Sequence, residues 1–235
     1  MYDYYGWKVS DHDPGPAAWA KANNNITLQG DGELLQIIDM LPNKRTVIEA
    51  GVNYGFSTPM LSKQFDHVHT FDFPNDIFDC FVANMQDRKI ENITMHSYGL
   101  GAEEVEVGII DRFQRKKFER GALGTSVVDS STKLVSEEKP YVAKQKFKIK
   151  TLDSLNIQQV DLIVVDTEGY ELNVLKGASE TIKNYSPVLV LEFSKKGLSQ
   201  KYGYYLTDLH KYLLKIGYEH HSNLNKVDRV YVRKA

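Results

Sequence analysis

The chain has 235 residues, enough for one large α/β domain with a substantial core and too few for two domains of comparable size. Apolar residues make up 42% and charged residues 26%, with a formal net charge of −2, so bulk electrostatics give no argument for a nucleic-acid or anionic-membrane partner. The single cysteine, Cys80, excludes an intrachain disulfide, no apolar run approaches the ~20 residues of a membrane span, and the N-terminus lacks the pattern of a signal peptide, so the expected setting is cytoplasmic.

Residues 1–31 are rich in Asp, Pro, Gly, Asn and aromatics, with little periodicity and with turn clusters at Pro14-Gly15-Pro16 and Asn23-Asn24-Asn25. They are set apart as an N-terminal segment. Its aromatics (Tyr2, Tyr4, Tyr5, Trp7, Trp19) suit a lid over a binding site or a homodimer contact, and a frayed tail is the third alternative. A single domain is expected over 32–235. Leu34, Leu35, Ile37 and Ile38 form a helical stripe that ends before Pro42. Val47-Ile48 is a short strand followed by a glycine turn and a helix around Pro59–Phe65. His67–Phe71 reads as a strand, Asp76–Asp87 as a helix, and Ile93–His96 and Val105–Ile110 as strands.

Asp111–Lys146 breaks the rhythm, with the charge runs Arg115-Lys116-Lys117 and Glu137-Glu138-Lys139 around small residues. It is read as an excursion from the sheet, at about 111–146. Phe147–Leu152 alternates as a half-buried strand does. Asp161–Val165 and Val188–Phe193 are apolar runs of the kind covered on both faces, and Tyr170–Asn184 and Thr207–Ile216 read as helices. Tyr218–His221 and Arg229–Arg233 close the chain as an antiparallel pair. The fold class is therefore α/β, a doubly wound, mostly parallel sheet with an antiparallel C-terminal strand pair.

Two motifs carry chemistry. In Glu49-Ala50-Gly51-Val52-Asn53-Tyr54-Gly55, a strand runs into a glycine turn with G-x-x-x-G spacing. The middle glycine that lets a dinucleotide's pyrophosphate approach is replaced by Asn53, and the acidic Glu49 suits the ammonium of a methionine moiety better than a phosphate. About twenty residues on, Asp72 ends the second strand, where a carboxylate accepts from ribose hydroxyls. The bland alternative is a tight turn and a helix cap; the two features together favour an adenosine-containing cofactor. The second motif, Asp166-Thr167-Glu168-Gly169-Tyr170-Glu171, follows the most apolar strand. Helix-start preferences account for Glu168 and Glu171 but less well for Asp166.

With Phe71-Asp72-Phe73-Pro74, Leu152-Asp153-Ser154-Leu155, Lys176-Gly177-Ala178 and Leu191-Glu192, these residues resemble the FkbM family of methyltransferases over about Thr46 to Phe193. The sequence departs from that pattern at Glu49, Val52 and the Phe-Asp-Phe-Pro element. The resemblance implies a class I methyltransferase with a Rossmann-like sheet, S-adenosylmethionine as cofactor (S-adenosylhomocysteine as product) and O-methylation of a sugar or other small acceptor. The cofactor pocket is placed at Glu49, Gly51, Asn53, Asp72, Phe73 and Asp166, with Ser97 or Tyr98 beside the adenine edge and Thr125 and Ser126 closing over it. Asp166 is the first candidate base, with Glu168, His96 and Glu192 as rivals. An Asp166–Glu192 metal pair lacks any tight ligand spacing and is disfavoured, so no metal ligand is assigned. The run Arg112–Arg120 is read as a solvated face rather than a subsite for an anionic acceptor. Competing readings are a non-catalytic protein that binds a nucleoside cofactor, a methyltransferase acting on a nucleotide or nucleic acid, and an NAD-dependent oxidoreductase. The missing middle glycine and the lack of a Tyr-x-x-x-Lys pair count against the last.

Overall fold

A computed structural model describes residues 1–11, 15, 31–110, 126–128, 146–193 and 198–234. In chain order it begins with a hairpin, β1 (Tyr2–Tyr4) and β2 (Trp7–Val9), then α1 (Asp31–Asp39), β3 (Thr46–Ala50), α2 (Thr58–Gln64), β4 (His67–Phe71), α3 (Asp76–Asp87) and β5 (Ile93–His96). Four short strands follow: β6 (Gly99–Leu100), β7 (Val105–Ile110), β8 (Ser126–Val128) and β9 (Phe147–Lys150). The chain then gives β10 (Val160–Val165), α4 (Glu171–Lys176), α5 (Ser179–Tyr185), β11 (Val188–Glu192), α6 (Leu206–Lys215), β12 (Tyr218–Asn223) and β13 (Asp228–Arg233).

The main sheet has seven strands in the order β12-β13-β11-β10-β3-β4-β5. Neighbours from β5 to β11 are parallel, and β13 joins β11 and β12 antiparallel. Strict alternation along β3 sends Val47 to one face and Ile48 to the other, and each face is covered. Leu34, Ile37 and Ile38 of α1, with Leu61 of α2, pack on Val47, Val68 and Leu162. Leu172 and Leu175 of α4, Ile182 of α5, and Leu209 and Leu213 of α6 pack on Ile48, Ile163 and Leu189. Coverage on both faces is why Val47-Ile48 in β3 and Leu162–Val165 in β10 are apolar at successive positions. Winding runs one way from β3 to β4 and β5 and the other way from β10 to β11, so the crevice at the carboxyl ends of β3 and β10 is the topological switch point.

One expectation is revised and two are given detail. The helix expected over 170–184 is two helices broken at Gly177-Ala178. A Cβ on Gly177 would lie 1.8 Å from the carbonyl oxygen of Gly101, and the Gly177 carbonyl accepts from the Asp153 N–H at 3.0 Å. The Asp153 carboxylate then caps α5 from outside the helix, accepting from the amides of Glu180 (3.0 Å) and Thr181 (2.9 Å). Residues 1–11 are not a frayed tail. Their hairpin seats Trp7 and Val9 in a cluster with Val52, Tyr54, Phe78 and Phe81, and the Ser10 hydroxyl donates to the Asp76 carboxylate at the start of α3. Of the excursion, Ser126–Val128 is a strand paired with β7 in a small second sheet ordered β6-β9-β7-β8; Thr125 and Arg112–Arg120 lie outside the described residues, as do Asn23–Asn25 and Trp19. Among the described residues no helix is long and apolar enough to cross a membrane.

Candidate functional site

The three strand ends at the switch point are tied by backbone bonds: the Gly51 N–H donates to the Phe71 carbonyl (2.9 Å) and the Asp166 N–H to the Ala50 carbonyl (2.9 Å). Gly51 turns the chain at φ +86°, and a Cβ there would sit 1.8 Å from the backbone oxygen of Asp166. Only glycine fits, because the conformation and the close approach of β10 both forbid a side chain. Gly55 faces a different obstacle: its Cβ would lie 2.4 Å from the Phe81 ring, so it lets α3 close onto the turn. Between them Asn53 adopts the left-handed conformation, φ +53°, which Asn tolerates better than most residues.

That conformation points the Asn53 N–H at the Asp72 carboxylate (3.0 Å), whose second oxygen accepts from the Phe73 N–H (2.8 Å). Burial raises the Asp72 pKa and these backbone donors oppose it. The side-chain oxygen of Asn53 is buried with no partner among the described residues. Asn75 accepts from the Ile77 and Phe78 amides and starts α3. These groups surround a cleft of about 820 Å³, counted out to open solvent. Ala50, Gly51, Asn53 and Phe71 to Phe73 form one wall, Asn75, Ile77, Gly99 and Leu100 the next, and Asp166, Thr167, Glu168 and Tyr170 the far side.

The turn after β10 is held in an unusual shape, with Glu168 at φ +53° and Gly169 at φ +99°. A non-glycine residue in that region is strained, and the surroundings must over-determine it. Glu171 does so: it is 1% exposed, and one of its oxygens accepts from Thr167 N (3.1 Å), Thr167 Oγ1 (3.2 Å) and Gly169 N (3.0 Å). The Tyr204 hydroxyl donates to the Gly169 carbonyl (2.6 Å) and lies 3.2 Å from the other Glu171 oxygen. Asp166, by contrast, opens on the cleft. Its pKa stands well above the usual carboxylate range, first through desolvation by the surrounding protein, then through the carboxylates of Glu192, Glu168, Asp228 and Glu171. Its open side leaves solvent to moderate the effect.

Gly51, Asn53, Asp72, Phe73, Asp166 and Glu168 thus converge on one cleft, whereas Glu49, His96, Ser97, Tyr98 and Glu192 do not line it, and the side chain of Ser126 lies outside the described structure. Glu49 is 4% exposed and accepts from the Thr58 hydroxyl at 2.7 Å, fastening α2 beneath the turn. Both His96 ring nitrogens are engaged, with His69 Nδ1 at 3.1 Å and the Tyr98 hydroxyl at 2.9 Å, and its ring stacks on Phe71 with centroids 4.3 Å apart. Burial lowers its pKa. Tyr98 is occupied by that contact and Ser97 is exposed, while the cleft wall is made two residues later by Gly99 and Leu100. A Cβ on Gly99 would lie 2.5 Å from the Phe73 ring. Sequence reasoning missed Gly99, Leu100, Asn75 and Tyr170; the Pro-Asn-Asp cap signal was available for Asn75 alone. Among the described residues no three His, Cys, Asp or Glu side chains are grouped to hold a metal ion.

A family model described as the methyltransferase FkbM domain matches residues 49–220. A protein named Methyltransferase 1 from Beauveria bassiana (strain ARSEF 2860) is 24% identical over 153 residues, which is 59% of this chain and 60% of that protein. Among solved structures, the methyltransferase FkbM from Methylobacillus flagellatus KT aligns with a TM-score of 0.52 at 20% identity, covering 81% of this chain and 43% of that one. Precorrin 8w decarboxylase from Methanobacterium thermoautotrophicum aligns over 99% of both chains with a TM-score of 0.53 at 12% identity. The structural matches establish a shared fold, and this chain spans 60% and 43% of the first two relatives.

Proposed function

The chain belongs to the FkbM methyltransferase family, and from that premise we propose that the cleft binds S-adenosylmethionine and directs its methyl group to a hydroxyl oxygen of a small molecule, with sugars as the first class to test. The charge of the cleft carries the reading. Its described lining holds three carboxylates, Asp72, Asp166 and Glu168, and no lysine or arginine. Sulfonium and ammonium groups suit such a surface, whereas a dinucleotide's pyrophosphate would meet carboxylates with no cation to offset them. The unpartnered Asn53 oxygen adds a buried acceptor that calls for a donor.

Gly51 and Asn53 would let the cofactor approach the backbone. Beside its backbone bonds the Asp72 carboxylate keeps acceptor capacity for a ribose hydroxyl, and Phe73 and Leu100 offer apolar surface to the base. When bound, the cofactor supplies an already activated methyl group, so what remains for the protein is alignment, exclusion of water and removal of the acceptor's proton. Asp166 is our candidate to take that proton, because it opens on the cleft at the end of β10, at the topological switch point. The test is transfer of labelled methyl from S-adenosylmethionine to a panel of hydroxylated sugars and phenols. Product with wild type that falls about 10²–10⁴-fold in Asp166→Asn is expected. Binding of the donor without turnover on any acceptor would favour a non-catalytic cofactor-binding protein.

A further inference from the structure

The β1–β2 hairpin lies outside the residues that match the family, 49–220, and none of residues 1–11 lines the cleft. It is nevertheless fastened to both elements on the Asn53 side of that cleft. Asn84, fully buried in α3, spends its whole amide on two backbone segments. Its Nδ2 donates to the carbonyls of Lys8 (3.0 Å) and Tyr54 (3.0 Å), and its Oδ1 accepts from the Lys8 N–H at 2.6 Å. Tyr54 directly follows Asn53, whose own N–H donates to Asp72. The Trp7 ring meets Phe56 edge-on, with centroids 4.7 Å apart, and the Arg88 guanidinium lies 3.6 Å from the Trp7 ring centre. Arg88 also donates to the Gly6 carbonyl at 2.8 Å. Beyond β2, the Ser10 hydroxyl donates to Asp76, which stands between the cleft-lining Asn75 and Ile77.

Two strands of three residues are marginal as an isolated hairpin, so its order comes from these ties. The ties act in both directions. With the hairpin lifted, buried Asn84 keeps one of its three bonds, and the glycine turn loses the packing of Trp7 on Phe56. We propose that the hairpin is a positioning element of the cofactor site, with Asn84 the positioning residue through which it sets the Asn53 turn against Asp72. The inference rests on reading the cleft as a methyl-transfer site. A ligand that needs the turn in this shape binds the docked form, and by linkage its binding holds the hairpin down. S-adenosylmethionine and S-adenosylhomocysteine share their adenosine and amino-acid parts, so the hairpin affects both alike and leaves methyl transfer from bound donor unchanged.

The test needs no identified acceptor. Backbone amide hydrogen exchange, calorimetry with the two adenosyl compounds and thermal unfolding are run on wild type, Trp7→Ala and Asn84→Ala. In the protein alone, the Asn53 N–H is expected to exchange about tenfold faster in Trp7→Ala than in wild type, with the amides of β12 and β13, at the far edge of the main sheet, unchanged. Both ligands are expected to bind Trp7→Ala about tenfold more weakly, by the same factor, and to slow exchange of the Lys8 N–H in wild type. Trp7→Ala alters no residue of α3 or of the turn, so it decides the matter even if Asn84→Ala does not fold. A lower Tm with wild-type exchange at Asn53 and wild-type affinities is what a purely structural hairpin gives, and overturns the proposal. Faster exchange at Asn53 in a protein that binds neither ligand leaves the hairpin's hold on the turn standing and removes the methyl-transfer reading instead.

Discussion

Strand β10 is bracketed by two aspartates that the protein treats in opposite ways. At its amino end Asp161 accepts from Arg45 three times, from Nη2 at 2.6 Å, Nε at 3.0 Å and the backbone N–H at 2.8 Å. Burial would raise its pKa, but these bonds outweigh that and hold it below the usual range. At the carboxyl end Asp166 has four carboxylate neighbours and a raised pKa. The same residue type thus serves as a fastener on one edge of the sheet and, in the proposed mechanism, as the base on the other. The cleft lies on the edge where charges are left uncompensated, and the cost in stability is offset by packing elsewhere.

Substitutions sharpen that contrast, and the largest effect falls on the backbone that carries Asp166. Gly51→Ala puts a Cβ into the Asp166 carbonyl at φ +86°. The variant is expected to lose about 3 kcal/mol or more and all cofactor binding, measured by denaturant unfolding and calorimetry. Asp166→Asn comes next, with turnover lower by about 10²–10⁴-fold and a Tm equal to or above that of wild type, because a like-charge cluster loses a member. Asp161→Asn is the mirror image: the Tm falls by a few degrees in thermal unfolding while cofactor affinity is unchanged.

The pH dependence separates the two ends further. The lowered pKa of Asp161 contributes stability that is present above its unfolded value of 3.8 and lost as pH falls through the folded value. Glu192, raised from 4.5 to about 8, works the other way. Between those values the unfolded chain has released the proton and the native one keeps it, so stability falls as pH rises through that window. Thermal scans between pH 4.5 and 8 are expected to show a smaller decline in Glu192→Gln than in wild type, by about 2–4 °C. An equal decline would mean that Glu192 ionises in the native state at an ordinary pH.

What the sequence revealed follows from how local each signal is. Gly51, Asn53 and Asp72 were legible because turn conformation, cap chemistry and strand ends are written within a few residues, and the covered strands declared themselves as apolar runs. Glu171 looked like an ordinary helix-start acid, and its role in locking the Thr167–Gly169 turn with Tyr204 requires a partner 33 positions away. The break at Gly177 depends on the Gly101 carbonyl, and the cap of α5 on Asp153, neither of which any periodicity contains. Asn84 was invisible for the same reason: buried in α3, its side chain bonds both backbone groups of Lys8 and the carbonyl of Tyr54, joining the N-terminal hairpin to the glycine turn. His96 reads as a rival base in the sequence because an imidazole at a strand end looks free until its bonds to His69 on β4 and to Tyr98 are known.

The most direct test of the cleft's assignment is calorimetric titration of wild type and Asp72→Ala with S-adenosylmethionine, S-adenosylhomocysteine and NAD, with the Tm of both proteins measured alongside. Binding of the first two by wild type, weakened at least about tenfold in a folded Asp72→Ala, with no signal from NAD, is the predicted result. Binding of NAD, or of neither adenosyl compound, would contradict that assignment.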